Sequence, residues 1–374
     1  MVSPQPDDAF GADLYAALGG DGNLVFSPGN IGTALRMALL GARGETAAQL
    51  AAVLHLAKPQ DADAGLLATS ALLGGLASGD LTLRAPNTMW VQSGLPLQPD
   101  FTAALSQAAC AQFRTADFAR AAALARQEIN GLIAEQTAGK ITDLIGPGGV
   151  TDRTRLVLAS AIYLKAAWAA PFPAAATADA PFHPAPGTEV PVPTMRLRAR
   201  LNYLRGDGYQ VVELPYVGQR LGLVVVLPDG PLPPMAGRLA AGGLGGLLAG
   251  LAPRQVSLAL PRFRVTGEFS LGPALSRLGM PLAFSRRADF TGITTAEPLH
   301  IDDVLHKAYI DVDEQGTEAA AATAVTIRAA ARVLLPDPPV QVTVDRPFLF
   351  AITEPGSGLP LFLGRVSHPG RELG

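Results

Sequence analysis

Glu314-Gln315-Gly316-Thr317-Glu318-Ala319-Ala320-Ala321-Ala322-Thr323-Ala324-Val325 is a run of small residues behind a glycine, and an irregular tail follows it from Thr326 to Pro339. Its reading decides the fold, because two incompatible readings are open. As a helix it has a cap at Thr317 and four consecutive alanines. As a strand it has a two-residue period. Thr317, Ala319, Ala321, Thr323, Val325 and Ile327 then share one uncharged face, while Glu318, Ala320, Ala322, Ala324, Thr326 and Arg328 share the other. An uncharged face that grows more apolar toward its end suits a strand buried on one side. An exposed helix or linker remains the plain alternative.

The surrounding chain limits what this segment can serve. With 374 residues, 48% of them apolar, it is long enough for one large domain or two ordinary ones with a sizeable core. No apolar run reaches the roughly 20 residues of a membrane helix. The start, Met1 to Asp8, lacks the basic residues and apolar block of an export signal. The expectation is a cytoplasmic protein if Met1 is the native start and a secreted one otherwise. A net charge of −3 without a basic run of five argues against nucleic acid and anionic membranes as partners. Cys110 is the single cysteine, so no internal disulfide can form. Lys58, Lys140, Lys165 and Lys307 are the only lysines, and Ala, Gly and Pro are heavily used. That bias suggests a GC-rich, bacterial genome.

Along the chain, helix signals come first. Ala9, Phe10, Leu14, Ala17 and Leu18 recur at helical spacing before Gly19-Gly20. Ser27-Pro28 supplies a cap and a first-turn proline for a helix from Ile31 to Leu40. Further helices are expected over Glu45–Leu56 and Ala121–Thr137, and a strand over Leu81–Val91. From Leu156 strands dominate. Leu156 to Leu164 is almost continuously apolar, as a strand buried on both faces is. Tyr209–Pro215, Leu221–Pro228, Val256–Leu260 and Phe348–Ile352 are further strands, and the glycine-rich run Gly242–Gly250 reads as a loop. Helices followed by strands predict an α+β fold.

Catalytic signatures are missing. There is no HExxH, paired CxxC, GxxxxGK[ST] or GxSxG. The histidines His55, His183, His300, His306 and His368 show no metal-ligand spacing. Acidic clusters at Asp302-Asp303 and Asp311-Asp313-Glu314 suit solvated surface. The expectation is a non-enzyme with no metal and no cofactor.

Several blocks, taken in order, resemble the serpin family of protease inhibitors over nearly the whole chain. They include Asn23-Leu24-Val25-Phe26-Ser27-Pro28, Leu39-Leu40-Gly41-Ala42-Arg43-Gly44-Glu45-Thr46 and Thr137-Ala138-Gly139-Lys140-Ile141. Ser160 to Lys165 with Trp168, Glu213-Leu214-Pro215-Tyr216, Leu260-Pro261-Arg262-Phe263 and Asp289 to Ile293 follow. His306-Lys307-Ala308, the opening segment, Arg346-Pro347-Phe348 and Leu361 to Val366 complete the series.

The resemblance implies a single domain over residues 1–374, with a serpin fold of three β-sheets and about nine helices. It makes residues 314–339 an exposed reactive-centre loop. A serine protease attacks this loop, and the cleaved segment then enters the largest sheet as a new strand, trapping the ester-linked enzyme. The residues suit that task. Glu314, Gly316, Thr317, Glu318, Ala319, Ala320, Ala321 and Ala322 form the hinge, in which Gly316 offers backbone freedom and the others little bulk. No proline lies between Gly316 and Arg328, so every residue can donate to a new ladder. At roughly 1 kcal/mol per hydrogen bond, about ten bonds yield on the order of 10 kcal/mol, comparable to a domain's whole stability. An active inhibitor is therefore expected. A non-inhibitory member acting as a binding or chaperone module is the alternative.

By the same resemblance, Ser27, Asn30, Ser160 and His306 form a polar cluster (the shutter) under the sheet's opening. Trp168 is either core or the breach residue where insertion begins. The family normally has serine at position 30 and asparagine at position 160. The exchange here suggests a compensated pair that keeps both buried groups satisfied. The family's spacing puts the scissile bond at Ala330–Ala331, with Arg328 and Arg332 as alternatives. Alanine suits elastase- or subtilisin-like targets, and arginine suits trypsin-like ones. Asp61 to Asp80 has no basic cluster, so no heparin-type activator is expected. The protein is expected to be a monomer.

Overall fold

Helices predominate in the first third, among them those expected around residues 9–18, 31–40 and 45–56. The computed structural model describes residues 6–76, 81–318, 338–354 and 360–370. In chain order the first elements are α1 (Pro6–Leu18), β1 (Leu24–Phe26), α2 (Pro28–Gly41), α3 (Gly44–Val53), α4 (Asp61–Leu76), β2 (Thr82–Arg84) and β3 (Asn87–Gln92). Then come α5 (Pro99–Ser106), β4 (Gln112–Ala116), α6 (Phe118–Gln136), β5 (Leu156–Ala167), β6 (Ala178–Ala185), β7 (Thr188–Gly206), β8 (Tyr209–Pro215) and β9 (Gly222–Pro228). The remainder is α7 (Pro233–Leu248), β10 (Ala252–Pro261), β11 (Phe263–Ser270), α8 (Gly272–Leu278), β12 (Asp303–Val312), β13 (Gly316–Thr317), β14 (Val340–Thr343), β15 (Phe348–Thr353) and β16 (Pro360–Val366).

The class is α+β, with eight α-helices among the described residues. One sheet of seven strands runs β11-β12-β13-β5-β3-β4, with β2 also on β5. A second of nine strands runs β1-β16-β15-β9-β8-β7-β10-β14, with β6 also on β7. The resemblance implied three sheets. Two of them are continuous here because the 19-residue β7 pairs with β6 and β10 along one part and with β8 at its end.

Helix α2 lies in the core, and its Pro28–Leu39 residues are all buried. Ser27 caps it, its hydroxyl accepting from the Asn30 backbone N–H at 3.2 Å. Ile31, Leu35 and Met37 pack with Leu158 of β5, Val224 of β9 and Leu349 of β15 in one cluster. Burying a side chain of this size stabilises by about 1.5–3 kcal/mol. Burial on both faces of β5 matches its unbroken apolar sequence.

Two local expectations are corrected. The glycine-rich run Gly242–Gly250 is not a loop, since most of it belongs to α7. Gly243 kinks that helix with φ of +66°, and Asp8 of α1 caps the turn beyond, accepting from the Leu244 and Gly245 N–H groups at 2.6 and 3.0 Å. A distant carboxylate thus satisfies donors that the local sequence leaves open. The expected strand Leu81–Val91 is two strands, β2 and β3, interrupted at Ala85-Pro86.

Candidate functional site

The site is built where β5 and β12 diverge. They pair directly and in parallel from Asp303↔Val157 to Tyr309↔Tyr163. Past that point β13 enters between them, with Gly316 opposite Ala167, and Thr317 opposite Ala166 on one side and Val312 on the other. The central sheet is therefore closed below β13, and Gly316 and Thr317 occupy its upper end. A Cβ at Gly316 would collide with the Ala166 carbonyl. Close backbone approach, rather than an unusual φ, requires glycine here. The left-handed backbone lies two residues on, at Glu318 with φ of +48°.

Aromatic residues support this point. Trp168, 3% exposed, stacks on Tyr216 with centroids 4.6 Å apart. Its indole N–H donates to the Asp313 carbonyl at 2.8 Å, and its backbone N–H to Gln315 at 2.9 Å. The Tyr216 and Thr317 hydroxyls are 2.6 Å apart. Burial pushes the Tyr216 hydroxyl far above its ordinary pKa, so it stays neutral. Glu314 is held by Arg262, whose Nε and Nη2 donate to Oε1 at 2.9 and 2.6 Å, and by the Thr177 hydroxyl at 2.5 Å. Burial acts to raise the Glu314 pKa, but these hydrogen bonds together outweigh it and hold the carboxyl below its usual range. Glu318 forms an ion pair with Lys140, which follows α6. The Tyr163 hydroxyl is pushed up by burial and by Glu318 beside it.

Beneath β13 lies a buried polar chain. The Ser27 backbone N–H donates to His306 Nε2 at 3.0 Å. A backbone N–H can only donate, so His306 carries its proton on Nδ1, which faces the Ser160 hydroxyl at 3.0 Å. The Asn30 side-chain amide donates to that same hydroxyl at 2.9 Å and to the Ala161 carbonyl at 2.7 Å. Asn87 in turn donates to Asn30 Oδ1 at 2.5 Å. His306 is wholly buried, and burial lowers its pKa to about 3.

The structure brings together Ser27, Asn30, Ser160 and His306, and places Trp168 beside Glu314, Gly316 and Thr317 above them. Sequence reasoning missed Asn87, Tyr216, Arg262 and Lys140 as members. The signal for Asn87 was a lone amide directly after Ala85-Pro86, in a stretch read as one apolar strand. Ala319, Ala320, Ala321, Ala322, Arg328, Ala330, Ala331 and Arg332 lie outside the described residues. Among the described residues no three His, Cys, Asp or Glu are grouped to hold a metal ion. No described helix is long and apolar enough to cross a membrane. A separate cavity of about 870 Å³ opens between the end of α1, the β6–β7 turn and the segment after β9, lined by Tyr15, Pro186, Leu232, Arg346 and Arg365.

A family model described as Serpin (serine protease inhibitor) matches residues 5–369. An uncharacterized serpin-like protein of Thermococcus kodakarensis is 40% identical, over 97% of this chain and 84% of its own. The leukocyte elastase inhibitor of Sus scrofa is 36% identical, over 96% of this chain and 97% of its own. Among solved structures, human thyroxine-binding globulin complexed with thyroxine matches with a TM-score of 0.85 at 27% identity, over 98% of both chains.

Proposed function

The chain belongs to the serpin family, and we propose that it is a single-domain, monomeric inhibitor of serine proteases, of bacterial source, that acts as a suicide substrate rather than as an enzyme. Its reactive-centre loop spans residues 314–339. The target's serine attacks a loop carbonyl, at Ala330–Ala331 in this reading, and forms an ester while the amine end leaves. The freed segment then extends β13 downward between β5 and β12.

One observation carries the reading. Gly316 and Thr317 already sit between β5 and β12, above a sheet that is closed by direct pairing. Both residues are small and uncharged, and continuing the strand needs only that the seven β5–β12 residue pairs separate. Tyr163 and Tyr309 are the first of these to part. The name of the pig relative, leukocyte elastase inhibitor, agrees with cleavage after a small residue. Incubation with elastase, subtilisin, chymotrypsin and trypsin, followed by denaturing gels, tests the reading. A covalent complex is the expected result, with the scissile bond given by the mass of the released peptide.

A second reading, a non-inhibitory binding module, draws on the 870 Å³ cavity and on the structural match to a protein solved with a bound small molecule. Cleavage of the loop by all four proteases without any complex would favour it.

A further inference from the structure

Strand β7 contains Arg196-Leu197-Arg198-Ala199-Arg200. Alternation along a strand sends the three arginines to one face and Leu197 and Ala199 to the other. The structure agrees: Arg196, Arg198 and Arg200 are exposed, while Leu197 and Ala199 are half-buried between buried Met195 and Leu201. Arg196 donates to the Ala176 carbonyl at 3.3 Å. None of the three has a carboxylate partner among the described residues.

Their neighbours on that face are neutral. Arg196, Arg198 and Arg200 stand opposite Ala259, Ser257 and Gln255 of β10. Ser257 and Ala259 in turn stand opposite Gln341 and Thr343 of β14. Residues directly opposite in a sheet share a face. The ladder therefore lies two strands, about 10 Å, from β14, and β14 begins at Val340, where the loop span 314–339 ends. On its other side, β7 has no pairing strand between Met195 and Leu201 among the described residues.

We propose that Arg196, Arg198 and Arg200 form a docking ladder for an acidic surface segment of the protease that engages the loop. The proposal rests on the inhibitor reading above. Three guanidinium groups in a row, with no carboxylate partner among the described residues and no acid among their cross-strand partners, complement a carboxylate-rich surface and offer paired donors to each carboxylate. The separation from β14 is about one Debye length at physiological salt. An enzyme seated on the loop thus comes within range of the ladder. Attraction of this kind raises association rates by 10- to 1,000-fold at low salt and selects among partners without changing the chemical step.

The test uses the full chain, its Arg196→Ala/Arg198→Ala/Arg200→Ala variant, and a control of equal charge change, Arg114→Ala/Arg120→Ala/Arg153→Ala. Rates of complex formation are measured at 50 and 500 mM salt with an acidic and a basic serine protease of the same cleavage preference. The ladder variant is expected to slow the acidic enzyme about tenfold at 50 mM, to lose that deficit at 500 mM, and to leave the basic enzyme unchanged. Equal slowing by the control, or no slowing by the ladder variant, overturns the proposal. A fluorescein-labelled Asp/Glu 12-mer, followed by anisotropy, reads the face without any inhibition. It should bind the wild type at least tenfold more tightly than the ladder variant. Absence of complexes with both proteases alongside retained 12-mer binding would mean that the inhibitor reading has failed and the acidic-partner assignment has not. Binding of a heparin fragment with none of the 12-mer assigns the face to polysaccharide and overturns the proposal.

Discussion

The Thr317 hydroxyl is 2.6 Å from the Tyr216 hydroxyl, and both groups are completely buried. This bond ties β13 to the aromatic pair Trp168–Tyr216. Tyr216→Phe keeps the stacking and removes one oxygen, and Thr317→Val does the same from the other side. Each single change leaves a buried hydroxyl without its partner, at a cost of about 1–3 kcal/mol. The double variant should cost clearly less than the sum. Urea denaturation of the four proteins measures this, and additive losses would show that the two hydroxyls are not coupled.

Thr317→Arg tests the hinge itself. Thr317 is sandwiched by backbone neighbours Ala166 and Val312, and burying an unpaired guanidinium there is prohibitively unfavourable. The variant should keep its fold with the hinge displaced outward. Proteases should then cleave it as an ordinary substrate, and the covalent band on denaturing gels should fall by tenfold or more. Complexes that persist at the wild-type yield would refute the role given to this position.

The Asn30–Ser160 hydrogen bond at 2.9 Å bears on the exchanged pair. Asn30→Ser alone loses the bonds to Ser160, Ala161 and Asn87, and about 2–3 kcal/mol of stability with them. Ser160→Asn alone forces a larger group into a filled site, at about 1–3 kcal/mol. The double variant restores one amide and one hydroxyl, and should recover at least half of the summed loss. Asn87 and the Ala161 carbonyl must find new partners, so recovery need not be complete. Thermal or urea melts giving strictly additive losses would mean that the two positions changed independently.

Much of this architecture is legible in the sequence. Tyr209–Pro215 is read with both ends as β8 has them, because Gly208 and Pro215 bound it. Leu156 to Leu164 reads as a strand buried on both faces because only the Ser160 and Tyr163 hydroxyls interrupt its apolar run. The Gly242–Gly250 run misleads because its helix is completed by Asp8, 236 residues upstream of Leu244. The roles of Asn87, Tyr216 and Arg262 escape notice for the same reason. Each is an ordinary residue in its local stretch, and its partner is set by sheet pairing and tertiary packing. Gly316 is recognised for backbone freedom, whereas its structural necessity is the approach to the Ala166 carbonyl.

His306 makes the polar chain sensitive to acid. Its Nε2 faces the Ser27 N–H, a donor that cannot accept, so a second proton has no place to go. Burial also disfavours the charged ring, and the pKa falls to about 3, against about 6.5 in an unfolded chain. Between these values the unfolded state binds more protons than the folded one. Stability from this group is therefore complete above pH ~6.5 and is lost, by about 1.4 kcal/mol per pH unit, as pH falls toward 3. The Glu314 carboxyl, held low by Arg262 and Thr177, adds loss in the same direction, but only as pH falls through the carboxylate range. The window from pH 6.5 to 5 thus lies above the Glu314 contribution. Urea midpoints of the wild type should fall there by the equivalent of about 2 kcal/mol, and His306→Gln should remove that part of the slope while lowering stability at pH 7.5. Because the chain joins α2 to β5 and β12, its protonation should also ease separation of the two strands, and mild heating at pH 5 should yield polymers faster than at pH 7.5. An unchanged slope in His306→Gln would mean that His306 is not held neutral between these strands.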